Sequence, residues 1–192
     1  MTQRTPHYAC WPLMLALATG MMNAQAEQKL VPTGSEIIFV SRQMGVPVEG
    51  KFKRFDAQVA FDPAKPEAGK VAFAIDMLSA TLGAPEADAE LPKATWFNTG
   101  KFTQATFQST AIKGLGGGKF EVSGKLAIKG ASRDIVVPVQ LTAAGATTVA
   151  NGTFTIKRLA FKIGENEWAD TSMVADDVQV KFKLTLSGVG KF

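Results

Sequence analysis

Residues 178–186 read VQVKFKLTL: Val178, Val180, Phe182, Leu184 and Leu186 alternate with Gln179, Lys181, Lys183 and Thr185. On a helix these residues would scatter around the axis. On a strand, successive side chains point to opposite faces, so one face is wholly apolar and the other polar. One face buried and one solvated is the pattern of an antiparallel sheet.

The same period of two recurs upstream. Val71, Phe73, Ile75 and Met77 alternate with Ala72, Ala74 and Asp76. Leu126 and Ile128 point one way, and Lys125, Ala127 and Lys129 the other. Ile135, Val137, Val139 and Leu141 repeat it, with Val136 making that strand apolar on both faces. Further strands are predicted at about 35–43, 50–61, 105–113, 119–129 and 147–161. Turn residues fall between runs: Asp62-Pro63, Gly114 with Gly116-Gly117-Gly118, Gly130, and Asn151-Gly152. Asn-Gly is the strongest two-residue hairpin signal, so Asn151-Gly152-Thr153 is read as a turn rather than a glycosylation site.

One segment breaks the rhythm. Pro85 to Phe97 carries Pro85, Glu86 and Asp88 where a helix start and its dipole favour them. Pro92 limits that helix to about two turns. The expectation is one antiparallel sheet of about eight strands with a short inserted helix. Such a sheet closes into a barrel or splits into a sandwich. A closed barrel of about eight strands can just hold one small ligand, and the same inward residues could equally fill a solid core.

Residues 1–26 read as a secretory signal. Arg4 precedes an apolar stretch from Trp11 to Met22, and Ala24-Gln25-Ala26 gives the small-x-small cleavage pattern. The stretch is shorter than the ~20 residues of a membrane-spanning helix. Cleavage after Ala26 would leave residues 27–192 as one soluble, periplasmic domain. It would also remove Cys10, His7 and Tyr8, the chain's sole Cys, His and Tyr, while all 13 Phe stay.

What remains has little catalytic equipment. Without His or Cys, neither the usual triads nor zinc sites can be built. Gly116-Gly117-Gly118-Lys119 lacks the Ser or Thr that a phosphate loop needs after Lys, because Phe120 follows. The acidic groups Glu86, Asp88, Glu90 and Glu165, Glu167, Asp170 lack calcium-loop spacing and read as solvated faces. The mature chain has 20 Lys and Arg against 17 Asp and Glu, a net charge of +3 without basic runs, so nucleic acid is not expected as a partner. The densest basic patch, Lys51, Lys53 and Arg54, reads as a solvated face. The expectation is a non-enzymatic protein with no cofactor and no metal. Phe in place of Tyr suits the burial of an apolar ligand, since Phe carries no polar tip to satisfy, and it suits a dry core equally.

Several stretches together resemble the YceI-like family of exported, lipocalin-like, polyisoprenoid-binding proteins. They are SEIIFVSRQMG (35–45), GKFKRFDAQVAFD (50–62), ADAELPKATWFNTGKFTQATF (87–107), SGKLAIKGASRDIVVPV (123–139) and the closing alternating strand. The resemblance implies an all-β, eight-stranded antiparallel lipocalin-like barrel with one short helix, holding a long isoprenoid or fatty lipid inside. Phe39, Phe52, Phe55, Phe73, Phe107, Leu126 and Ile128 fall on the family's apolar positions, and Trp96 and Phe97 on its aromatic pair after the helix. Ile75 and Phe182 complete the apolar ligand-binding set from the alternating strands. Gln43 stands where the family often has His before Met-Gly, which leaves its amide to meet a head group. Glu90 and Asp134 replace a frequent His and Pro. The expected partner is thus an isoprenoid-type lipid, polyprenyl or quinone-like. Transient contact with a membrane or membrane protein and a homodimer are compatible with that role. The competing expectations are a solid-core envelope protein that acts through a surface partner and, more weakly, a carboxylate hydrolase.

Overall fold

The computed structural model describes residues 27–192; the expected signal segment, 1–26, lies outside the described residues. Ten strands follow one another: β1 (Lys29–Gln43), β2 (Val46–Phe52), β3 (Phe55–Ala60), β4 (Lys70–Asp76), β5 (Ala80–Thr81), β6 (Gln104–Gly116), β7 (Lys119–Ile128), β8 (Ala131–Ala144), β9 (Thr147–Lys157) and β10 (Asp177–Ser187). Among the described residues a single short α-helix, α1 (Pro85–Glu90), stands between β5 and β6. Pro85 occupies its first turn, and Pro92 follows its end.

Every pairing is antiparallel, and β1 pairs with β10, which closes the sheet. The ring has eight staves because two of them are broken strands. β1 pairs with β2 along Ile37–Gln43 and touches β3 at Lys29↔Gln58, so β2 and β3 share one stave. β4 and β5 share the next, since β3 pairs with β4 and β2 with β5. The result is a closed eight-stranded antiparallel barrel with one short helix.

The stretch 50–61, expected as one strand, is therefore two, interrupted at Lys53-Arg54. The cause is a joint kink in both staves. Ser79, in the 3-10 turn Met77–Ser79, accepts from Arg54 N at 3.0 Å through its hydroxyl and donates to Asp76 O at 2.6 Å. Lys53 N donates to Ser79 O, and Arg54 pairs with Asp76 at 2.8 Å. The basic patch is thus partly spent on this corner.

A second correction concerns Asn151-Gly152. They lie in the middle of β9, where Gly152 pairs with Phe182 on β10 and with Val139 on β8. The preceding reversal is at Gly145, whose φ is +64°. The predicted strand 147–161 also ends early, at Lys157, and continues as a 3-10 turn, Arg158–Phe161.

Inward side chains gather in two clusters. Ile37, Ile112, Phe120, Val122, Leu141, Leu184 and Leu186 form one. Met77, Leu91, Phe97, Leu126, Ile128, Ile156, Phe161 and Ile163 form the other, under α1 and the turns beside it. Burial of that apolar area, at about 25 cal/mol per Å2, is the main force holding the wall closed.

Candidate ligand cavity

Each cluster surrounds empty space. The first encloses a narrow cavity of about 140 Å3, and all of its lining residues are apolar. The second borders a wider cavity of about 620 Å3. Ile37, Ile75, Leu126, Phe154 and Val180 line both, so the two adjoin across a waist. The barrel is not a solid core.

Glycines help to keep it open. A Cβ on Gly50 would overlap the Phe39 ring, one on Gly124 the Phe107 ring, and one on Gly152 the Phe182 ring. Each ring tip therefore leans on the strand wall where its neighbour has no side chain. With a larger residue opposite, the ring would have to swing away from the wall. A glycine in a strand often marks such a close approach.

The wide end is more polar. Ser41, Gln43, Glu86, Glu90, Arg158 and Trp168 line it together with apolar residues. Arg158 is only 1% exposed, and its five N–H groups all reach backbone carbonyls. Nε donates to Ala175, one terminal nitrogen to Ile163 and Gly164, and the other to Trp168 and Val174, at 2.7–3.1 Å. Burial pushes its guanidinium pKa down, opposed by nearby Asp176. Arg158 thus acts as a staple that folds residues 158–176 across the barrel end.

Two acidic groups prove to be more than solvated faces. Asp88 accepts from the Thr81 hydroxyl and from Leu82 N, which ties α1 to β5. Those bonds hold its carboxyl below the ordinary value. Glu165 pairs at 2.9 Å with Lys129, whose side chain is buried although the alternation placed it on the solvated face. Lys129 Nζ also donates to Lys162 O, pinning the same loop.

Of the residues singled out from the sequence, Phe39, Gln43, Phe52, Trp96, Phe97 and Ile128 line the wide cavity. Phe73, Phe107 and Phe182 line the narrow one, and Ile75 and Leu126 line both. Phe55 lines neither: it is half-buried and packs against the narrow-end cluster. Phe61, Phe120 and Phe154 were missed among the lining residues, as were Arg158 and Trp168. The Phe residues sit within the predicted alternating runs and could have been found by extending them. Arg158 and Trp168 follow the last alternating residue of β9, where period two carries no information.

A closed eight-stranded antiparallel barrel around a mainly apolar interior is the lipocalin-like fold. The chain belongs to the YceI-like family, whose domain model matches residues 28–186. It is 33% identical over 96 residues to a UPF0312 protein of Ectopseudomonas mendocina, and 34% identical over 90 residues to one of Shewanella baltica. Those matches cover 50% and 47% of each chain, so the chain spans about half the length of these relatives. Among solved structures it is similar to Burkholderia cenocepacia BcnA, at 46% identity and a TM-score of 0.79, over 81% of this chain and 98% of that one. It also shares its fold with a polyisoprenoid binding domain from Saccharophagus degradans, at 18% identity and a TM-score of 0.67, over 84% and 98% of the two chains.

Proposed function

We propose that this protein is exported to the periplasm and there sequesters or carries a long-chain isoprenoid-type lipid, without acting on it chemically. The tail lies in the narrow cavity and the head group in the wide one. The observation that carries this reading is the pair of adjoining cavities, apolar throughout at one end and polar-lined at the other. An apolar chain gains about 0.8 kcal/mol for each buried CH2, and a polar head would find no partner in the narrow end. The polyisoprenoid binding domain of Saccharophagus degradans, which has the same fold, supports the choice of lipid class. Exposed Met44 and Met173, bridged by a backbone hydrogen bond of 2.8 Å, adjoin cavity-lining Gln43 and Val174 and offer an apolar rim for loading from a membrane or membrane protein.

Native mass spectrometry of gently purified protein, followed by organic extraction, tests the proposal. A lipid adduct is expected, and Ile75→Phe, which narrows the waist, should shorten the longest chain retained. An empty interior in protein from its own host would overturn the proposal and favour a protein acting through its surface.

A further inference from the structure

Residues 27–192 carry three methionines, Met44, Met77 and Met173, and no cysteine. Met77 is 3% exposed, whereas Met44 is 77% and Met173 45% exposed. The two exposed ones are neighbours, since Met44 N donates to Met173 O at 2.8 Å. Each adjoins a residue that lines the wide cavity, Gln43 in one case and Val174 in the other, and those two form a β-bridge. Met44 also occupies a strained position. Gln43 pairs with Val46, so Met44 and Gly45 form a two-residue hairpin turn, with φ of +48° and +81°. Such a turn favours Asn-Gly, and a long side chain at its first position strains the backbone. A side chain so exposed gains little packing to offset that strain. Strain without a packing gain points to a use for the side chain itself.

The chemistry open to a thioether is oxidation, and its susceptibility follows exposure. With hydrogen peroxide, the sulfur lone pair forms an S–O bond as the O–O bond breaks. The departing hydroxide takes the proton of the transferred oxygen, so the products are a sulfoxide and water. Sulfur is oxidised by two electrons and peroxide is reduced by the same two. The sulfoxide is polar and holds water that the thioether does not. Met44, Val46 and Met173 are the large exposed apolar side chains of this rim, so oxidation would turn two of the three polar. Resting on the lipid-binding reading above, we propose that Met44 and Met173 form a paired modification site for peroxides. Their oxidation slows exchange of lipid with a bilayer and leaves the cavity itself unaltered.

Peptide mapping of the full chain during treatment with hydrogen peroxide tests the site. Met44 and Met173 should each gain one oxygen about tenfold faster than Met77. Oxidation of Met77 at the rate of the other two would overturn the assignment. Uptake of squalene from phosphatidylcholine vesicles tests the consequence. Oxidation should slow uptake about 3- to 10-fold and leave the amount held at equilibrium within about twofold, and methionine sulfoxide reductase should restore the rate. The double variant Met44→Leu, Met173→Leu keeps an apolar rim without oxidisable sulfur, so peroxide should leave its uptake unchanged. Slowing of that variant by peroxide, or a fall in the amount held that matches the fall in rate, would overturn the proposal. Protein that takes up no squalene, reduced or oxidised, would count against the lipid-binding reading instead, while the peptide rates still decide the modification site.

Discussion

The narrow cavity is lined by strand residues apart from Phe61, which directly follows β3, whereas the wide end is also capped by α1 and the chain from Arg158 to Val174. At the narrow end the space survives because Phe107 and Phe182 lean on Gly124 and Gly152. At the wide end it survives because buried Arg158 holds a loop in place through carbonyls on five different residues. One end is kept open by side chains that are missing. The other is kept in shape by a single side chain that touches almost everything around it. The first end presents an apolar lining alone; the second adds Ser41, Gln43, Glu86 and Glu90, beside which the proposed head group would sit.

Removing the staple should have the largest effect. Arg158→Ala strands five carbonyls at a buried site, and the expected loss is about 3–5 kcal/mol, read as a fall in the urea midpoint. Arg158→Lys keeps the charge but offers at most three donors in place of five, so its loss should be intermediate. If the two ends are as separate as their construction indicates, α1 and residues 158–176 should gain hydrogen exchange well before β7 to β10 do. Uniform loss of protection would break the comparison.

At the narrow end the corresponding change is Gly152→Val. Its side chain would meet both the Phe182 ring and Pro138 O, so the ring must leave the wall and enter the cavity while β8 gives way at Pro138. Overpacking of this kind costs about 1–3 kcal/mol, less than loss of the Arg158 staple. Its consequence for binding should be the sharper one. Long-chain lipid should be lost while a short lipid that needs the wide end alone is retained, as measured by extraction and mass analysis. Loss of both in equal measure would mean that the two cavities work as one undivided space.

The same contrast explains what was legible in the sequence. Alternation over 71–77, 126–128 and 178–186 placed Phe73, Ile75, Leu126, Ile128 and Phe182 on the inner face, because period two is itself the geometry of a wall. The break at Lys53-Arg54 was not legible, since it depends on Ser79, which lies 25 residues on from Arg54. Asn151-Gly152 misled because a hairpin and a ring-bearing wall both ask for glycine, and local sequence does not distinguish them. Phe55 was carried onto the ligand set by the resemblance, although it packs within the narrow-end cluster without reaching open space. Arg158 was invisible for a different reason. Its acceptors are main-chain carbonyls, which every residue possesses, so no pattern of residue types announces them.

The smallest effect expected is that of Asp88, which fastens α1 over the wide end. Hydrogen bonds from Thr81 and Leu82 lower its pKa from the ordinary 3.8, so the folded protein takes up that proton less readily than the unfolded chain. Asp88 therefore stabilises the fold fully above the ordinary carboxylate value, and its contribution drains away as pH falls through 3.8 toward the lower folded value. Asp88→Asn should accordingly lower Tm slightly at neutral pH and converge with the unmodified protein in acid, in a series of melts from neutral pH downward. Because the bonds fasten α1 alone, the acid-sensitive part should appear in exchange at the wide end and leave β7 to β10 unchanged. An identical pH profile in the two proteins would show that α1 is held by its apolar contacts, Leu91 foremost, and that its acidic residue is incidental to the cap.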